Sequence, residues 1–252
     1  MTTHTLPLFR ASWKMMLRSR GVNFAVLAAA VQVLVLGLLG DLGFGFGDQT
    51  LSFYGYVLPG FAVFLVVYQL QDIMVAVAAS YKARGILRRL AVTPISPRLV
   101  VAAQMVSYVG LGVVAASIML ALGKLMGADL AITANLLWLI PIIALVALTA
   151  LAIAFVIAGL TPNPQTASNV GATISFLLFG FTGVMLPVDA LPGALPDIVP
   201  YAVPYTSLIE AIRGIALTGN SIGAYPEQIL IGLAWLIVVF TVAALAYRFT
   251  DE

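Results

Sequence analysis

The sequence predicts an all-α polytopic membrane protein with six transmembrane helices. Of its 252 residues, 62% are hydrophobic and 9% are charged, whereas soluble domains carry about 25% charged residues. The apolar residues form long unbroken runs rather than the alternation typical of a membrane β-barrel. A chain with so few polar groups does not suit a soluble enzyme, a disordered protein or a nucleic-acid-binding domain. Its net charge of +2 gives no sign of a nucleic-acid partner.

Charge-free runs of about 20 residues define the predicted spans, because this length crosses a bilayer as a helix. Such runs cover residues 21–40, 49–71, 99–123, 130–188 and 228–247. The run 130–188 is too long for one crossing, and Thr161-Pro162-Asn163-Pro164 divides it, since prolines break helices. We therefore predict a single membrane domain, residues 1–252. Its six spans lie roughly at 21–40, 56–80, 97–123, 132–160, 167–187 and 227–247.

The basic residues indicate the orientation of these spans. Ten of the twelve Lys and Arg residues precede the first span, separate the second from the third, or follow the last. The positive-inside rule places this face in the cytoplasm, so both termini are expected there. The first apolar run is longer than the core of a signal peptide and predicts a retained anchor.

Residues 6–20 predict an amphipathic helix that lies at the membrane interface. Arg10, Lys14 and Arg18 recur at every fourth position, while apolar residues fill the opposite face. A plain anchor and a mechanical role are both compatible with this pattern.

The cytoplasmic segment 82–92 predicts a short basic surface helix. Leu87 and Leu90 share one of its faces, and Arg84 and Arg88 share another. The Thr93-Pro94 and Ser96-Pro97 pairs that follow are typical of helix starts, so the third span is expected to begin near Pro97. The segment is either a plain basic connection or a rigid knob that fits a partner's groove.

The segment 188–225 predicts an external hairpin that re-enters the membrane. Prolines recur every four or five residues from Pro187 to Pro204, which no straight spanning helix tolerates. The amphipathic stretch 205–217 follows, with Glu210 and Arg213 three positions apart. The segment is too apolar for a free loop, and irregular backbone is tolerated at membrane depth when protein surrounds it.

Three polar residues share one helical face in the second predicted span: Tyr68, Gln69 and Asp72. Asp72 is the only acidic residue clearly inside a predicted span, about 13 Å from its inner end at the rise of an α-helix. An ionisable residue in a span is by default a functional candidate. These side chains are therefore candidates for a translocation path that accepts a cationic amphiphile. An interhelical hydrogen bond is the alternative.

The chain lacks the residues that most catalytic and metal sites need. It has no cysteine, and its one histidine is His4 in the polar N-terminal tail. Neither a thiolate site nor an H-E-x-x-H metal site is possible, and no lysine stands in a phosphate-binding G-K-[ST] context. We therefore expect no catalytic residue, no metal site and no cofactor in this chain.

Two sequence blocks resemble the permease subunits of type-2 ATP-binding-cassette (ABC) exporters. Residues 84–97, Arg-Gly-Ile-Leu-Arg-Arg-Leu-Ala-Val-Thr-Pro-Ile-Ser-Pro, are similar to the family's G-T-L-x-R-L-x-x-T-P-x-S stretch. Residues 183–214 are similar to its G-x-x-x-P … L-P … P-x-x-x-x-x-E-x-x-R segment. The external hairpin residues of this second likeness are Pro187, Pro192, Pro204, Glu210 and Arg213. Within the family, the chain looks most like the daunorubicin-resistance drug-efflux permeases. The family often has a Glu just before the Gly of the first block, where this chain has Ala83 and Arg84.

The resemblance implies an antibiotic-efflux protein of the bacterial cytoplasmic membrane that exports hydrophobic drugs or lipids. It implies three kinds of partner: an ABC ATPase subunit that binds ATP and Mg²⁺, a second permease (this chain or a sister), and membrane lipid. The loop residues implied to couple ATP hydrolysis to transport are Lys82, Arg84, Gly85, Leu87, Arg88, Arg89, Thr93 and Pro94. The sequence leaves two alternatives: a substrate-binding membrane subunit of an energy-coupling-factor importer, and a membrane assembly factor without transport activity.

Overall fold

The computed structural model describes residues 53–86, 97–185 and 187–247, together with eight scattered helical positions near the N-terminus. Those positions are Trp13, Leu27, Val31, Gln32, Leu34, Val35, Gly37 and Leu38. As elements, the predicted interfacial helix and the predicted first span lie outside the described residues. The loop residues Leu87, Arg88, Arg89, Thr93 and Pro94 also lie outside them.

Seven α-helices make up most of the described chain, which contains no strand and so confirms the all-α class. In chain order they are α1 (Phe53–Ala83), α2 (Pro97–Leu125), α3 (Leu139–Leu160), α4 (Pro164–Phe181), α5 (Leu195–Ala202), α6 (Thr206–Thr218) and α7 (Pro226–Ala246). Short 3-10 helices occupy Ala134–Trp138, Val188–Ala190 and Ile222–Ala224.

Within the described ranges, four helices are long and apolar enough to cross a membrane. They are α1, α2, α3 with the 3-10 turn before it, and α7. Helix α4 has 18 residues, but its first half carries Gln165, Ser168 and Asn169. The first predicted span, residues 21–40, lies outside the described elements. Six spans stay a prediction, and four membrane-length helices are the finding.

Helices α1 and α3 form the centre of the bundle. They pack along each other, with α2 against both, α4 against α1, and α7 against α3. Small buried residues of α3, Ala147, Ala150, Ala154 and Ala158, recur at helical spacing and let neighbouring backbones approach closely. Helix α7 exposes large apolar residues such as Leu230, Ile237 and Leu245, as expected of an outer helix that faces lipid.

Helices α3 and α4 are separated at Thr161-Pro162-Asn163-Pro164. Asn163 is the N-cap of α4: its side-chain oxygen accepts a hydrogen bond from the Thr166 backbone N–H at 2.8 Å. Pro164 is the first helical residue, where its missing N–H costs nothing. A polar cap followed by proline therefore starts α4 directly after the break.

The segment after α4 folds into α5 and α6, which pack on the bundle rather than forming a free loop. Helix α6 contacts α1, α3 and α7. It buries Leu208, Ile209, Ile212 and Ile215, among others. It ends at Gly219, whose φ of +71° closes the helix in the left-handed conformation. The packing explains why this segment is so apolar.

Candidate functional site

The three polar residues predicted on α1 lie together on a half-exposed face of that helix. Tyr68, Gln69 and Asp72 are all partly buried. One carboxylate oxygen of Asp72, Oδ1, is buried and has no hydrogen-bond partner among the residues that the structure describes. A buried polar atom without a partner costs free energy. A hydrogen-bond donor or a positive charge placed next to this oxygen would supply the missing partner.

Aromatic rings adjoin this polar face and connect α1 to α4. The ring of Tyr68 stacks on Phe64, with centroids 6.3 Å apart. Phe179 of α4 lies 4.9 Å from Phe64 and 6.2 Å from Phe61. Beyond them, α4 exposes Phe176, which is 74% accessible. Asp72 lies one helical turn after Tyr68, so its carboxyl group is near one end of this aromatic surface.

A buried polar network lies one residue from Asp72. The Gln71 side-chain NH₂ donates to the Ser175 hydroxyl of α4 at 2.7 Å, and the Tyr205 hydroxyl donates to the Gln71 carbonyl oxygen at 3.1 Å. All three residues are buried, so each polar group has a partner where water is absent. The network joins α1, α4 and the start of α6. The sequence pattern indicated Tyr68, Gln69 and Asp72 but not Gln71, whose hydrogen-bond partners are 104 and 134 residues away.

Arg213 fastens α6 to the N-terminal end of α1 and to the turn after α4. Its Nε donates to the Tyr56 backbone oxygen at 3.1 Å and its Nη2 to the Gly183 oxygen at 2.7 Å. Its guanidinium carbon lies 3.9 Å from the centre of the Tyr56 ring, within cation–π range. Glu210, which the spacing placed beside it, is exposed. The main partners of Arg213 are therefore carbonyl oxygens and a ring.

The close approach of α6 to α1 needs a glycine at position 60. A Cβ atom there would lie 2.9 Å from a methyl group of Ile209 and 3.4 Å from Nη2 of Arg213. Gly183, whose φ is +70°, turns the chain after α4 so that its carbonyl oxygen meets the guanidinium.

The hairpin prolines stand at the boundaries between the short elements. Pro187 precedes the 3-10 helix Val188–Ala190, Pro192 is exposed before α5, and Pro204 is buried between α5 and α6. Helix α5 is also tied to α7, because the Tyr201 hydroxyl donates to Glu227 at 2.8 Å. This hydrogen bond raises the pKa of Tyr201.

The predicted coupling segment begins inside α1 rather than after it. Helix α1 continues to Ala83, so Lys82 lies in its last turn, and its Nζ donates to the Gly159 backbone oxygen of α3 at 2.7 Å. Arg84 is exposed, and Gly85 turns the chain with a φ of +61°. Of the basic residues in this segment, Arg84 faces outward while Lys82 is engaged with the bundle.

The described part of the chain is all-helical and has four helices of membrane-spanning length, as in a multi-pass membrane protein. Residues 7–217 match the ABC-2 type transporter family. Since the match covers most of the chain, the protein belongs to this family. A comparison with curated proteins finds no match.

Family membership establishes three coarse properties. The chain is a permease component of an ABC transporter, which is the transport component in this family. It spans a membrane several times. Members of this family generally work with an ABC ATPase partner.

Proposed function

We propose that the protein exports hydrophobic drugs or antibiotics, or lipids, across the bacterial cytoplasmic membrane. A separate ATPase subunit supplies the energy by hydrolysing ATP with Mg²⁺, and this chain binds no cofactor of its own. The observation that carries the proposal is an Asp72 oxygen with no partner among the described residues, close to the aromatic rings of α1 and α4. Family membership favours this function over an energy-coupling-factor subunit or an assembly factor.

The daunorubicin-resistance branch of the family is the proposed assignment within it. Substrates of the expected kind combine an apolar body with a cationic group. The aromatic rings of α1 and α4 offer the apolar surface, and Asp72 offers a negative charge at a depth where an unpaired charge is costly. A neutral lipid would use the rings alone.

The proposed path is completed by a second permease, either another copy of this chain or a sister subunit. The face that carries Tyr68 and Asp72 is only half covered by the described residues, and α4 beside it exposes Phe176 and Leu177. A second subunit against this face would enclose the polar cluster between two copies of α1. The remaining apolar surface, above all on α7, would face lipid.

Drug accumulation tests the proposed function as a whole. Cells that express the permease and its ATPase together should accumulate less of a hydrophobic cationic drug than cells with either subunit alone. A catalytically dead ATPase should remove the difference at equal membrane levels of the permease. Equal accumulation in all of these cells, across cationic and neutral drugs and lipid probes, would refute export.

The change Asp72→Asn tests the role of the carboxylate in substrate selection. We expect export of a cationic drug to fall about tenfold, the effect of losing one charged contact, while export of a neutral analogue stays near wild type. The matched control is Asp129→Asn, since Asp129 is exposed and lies in the segment after α2, outside the helix that carries Asp72. An equal effect on both drugs would show that Asp72 serves only packing.

A further inference from the structure

Helix α3 is tied to α1 at the predicted cytoplasmic end of the bundle. The Lys82 ammonium group in the last turn of α1 reaches the Gly159 backbone oxygen of α3 at 2.7 Å. Helix α3 ends at Leu160, and the last four carbonyl oxygens of a helix have no donor within it. A cation at this end also interacts favourably with the helix dipole. The contact therefore has a structural reason independent of any partner protein.

The same glycine brings α7 against α3. A Cβ atom on Gly159 would lie 2.7 Å from the backbone carbonyl carbon of Ala246 and 2.9 Å from the backbone nitrogen of Tyr247. These obstacles are backbone atoms, which cannot rotate away as a side chain can. Only glycine allows the two helices to approach so closely at this point.

Tyr247 then joins α7 back to α1. Its hydroxyl donates to the Ala78 backbone oxygen at 2.8 Å, and its ring meets Phe155 of α3 edge-on at 5.0 Å. The side chain is 3% exposed. Ala78 lies one helical turn before Lys82, so both ties reach the same end of α1. We call the group formed by Lys82, Gly159, Tyr247 and Ala78 the inner junction.

We propose that the inner junction makes the cytoplasmic ends of α1, α3 and α7 move as one body, with Lys82 as the positioning residue that links the coupling segment to α3. The inference rests on the proposed function, because the displacement comes from the ATPase. Lys82 lies in the last turn of α1, and Arg84 and Gly85 follow directly after the helix ends. A displacement of that segment therefore reaches α3 and α7 directly, and Lys82 acts inside the permease instead of contacting the ATPase.

Transport and ATP hydrolysis measured on the same permease–ATPase complex separate this role from simple packing. In Lys82→Met, which keeps the apolar stem and loses the donor, we expect transport per ATP hydrolysed to fall about fivefold, the effect of losing one hydrogen bond. In Gly159→Ala, transport per ATP hydrolysed should fall at least as far, because the added Cβ separates α7 from α3. Lys82→Arg, which can still donate to the carbonyl oxygen, should restore most of the coupling.

The matched control is Gly223→Ala, where a Cβ meets only the Ser221 hydroxyl at an ordinary 3.6 Å. It should couple normally. The amount of ATPase that co-purifies with each variant decides between the two roles of Lys82. If Lys82→Met loses the ATPase, Lys82 is a docking contact and the proposal is wrong. If the ATPase stays bound and coupling is unchanged, the proposal is wrong as well.

Distance measurements test the single-body claim without any transport assay. The chain has no cysteine, so spin labels can be placed at exposed Ala83, Leu160 and Leu245 in pairs without other changes. The three distances should stay within about 2 Å, roughly the scale of thermal motion, whether the permease is alone or bound to a nucleotide-loaded ATPase. Gly159→Ala should broaden the Leu160–Leu245 distance. Larger changes in the unmodified junction would overturn the proposal even if export is confirmed, and constant distances would support it even if export fails.

Discussion

At the scale of single residues, Arg213 departs most from what sequence spacing indicates. Its distance of three positions from Glu210 suggested a pair on one helix face. In the structure, the guanidinium instead donates to the Tyr56 and Gly183 oxygens and covers the Tyr56 ring. Arginine suits this site because its planar fork donates in several directions at once and stacks on aromatic rings.

Replacing Arg213 should destabilise the protein while replacing Glu210 should not. Arg213→Gln removes charge-assisted hydrogen bonds to two segments, and we expect the free energy of unfolding to fall by about 2 kcal/mol. In Arg213→Lys the free energy of unfolding should fall by less, because lysine keeps the charge but lacks the planar guanidinium that donates in several directions. Denaturation of the detergent-solubilised protein measures both. Stability equal to wild type in Arg213→Gln, or a larger loss in Glu210→Gln, would contradict this role.

Asp72 shows what sequence reasoning can locate and what it cannot. A lone carboxylate in a charge-free run was visible from composition, and the helical period placed Tyr68 and Gln69 beside it. The neighbouring network of Gln71, Ser175 and Tyr205 was not visible, because its hydrogen bonds join residues from three separate segments. Helical periodicity identifies a face of one helix, whereas partners on other helices depend on tertiary packing.

At the scale of elements, the start of α4 depends on local signals that the sequence does display. Two prolines and an asparagine separate α3 from α4, and the Asn163 side chain closes the first turn of α4. The end of α4 was less visible. The predicted span reached residue 187, while the helix ends at Phe181 and a turn at Gly183 follows, which serves the contact with Arg213.

The same substitution at Asn163, the N-cap of α4, and at Asn169, inside α4, should affect stability differently. Asn163→Ala removes the cap and should lower the free energy of unfolding by about 1 kcal/mol. Asn169→Ala, inside α4 at an exposed position, should leave stability unchanged or raise it slightly, because alanine is the better helix former. Denaturation measures the pair under identical conditions. Equal effects of the two changes would show that the Asn163 cap does not stabilise α4.

Proline positions predicted only some of the other helix boundaries. Its spacing correctly excluded one long helix between residues 187 and 225, where α5 and α6 are short. Pro59 and Pro200 nevertheless lie inside α1 and α5. In a membrane-spanning bundle, neighbouring groups can satisfy the carbonyl oxygens that a proline leaves without a donor. Proline alone therefore does not distinguish a helix start, as at Pro226, from a helix interior, as at Pro59.

At the scale of the whole molecule, the contacts connect the two ends of the bundle through α1. Lys82 and Ala78 join its C-terminal end to α3 and α7, while Tyr56 and Gly60 join its N-terminal end to α6. Composition alone predicted a helical membrane protein, and the basic residues predicted its orientation. The arrangement around α1 was beyond sequence reasoning, because long apolar runs with little periodicity do not indicate which helices are neighbours.

The central claim is that an ATPase drives this permease through the segment 82–92, and one measurement tests it most directly. The double variant Arg88→Glu with Arg89→Glu is compared with wild type for drug export and for stimulation of the ATPase. The two proteins are brought to equal levels in the membrane. We expect the variant to insert normally but to lose export by about tenfold, as expected for reversed charges at a partner interface. Normal export together with normal ATPase stimulation in this variant would contradict the account.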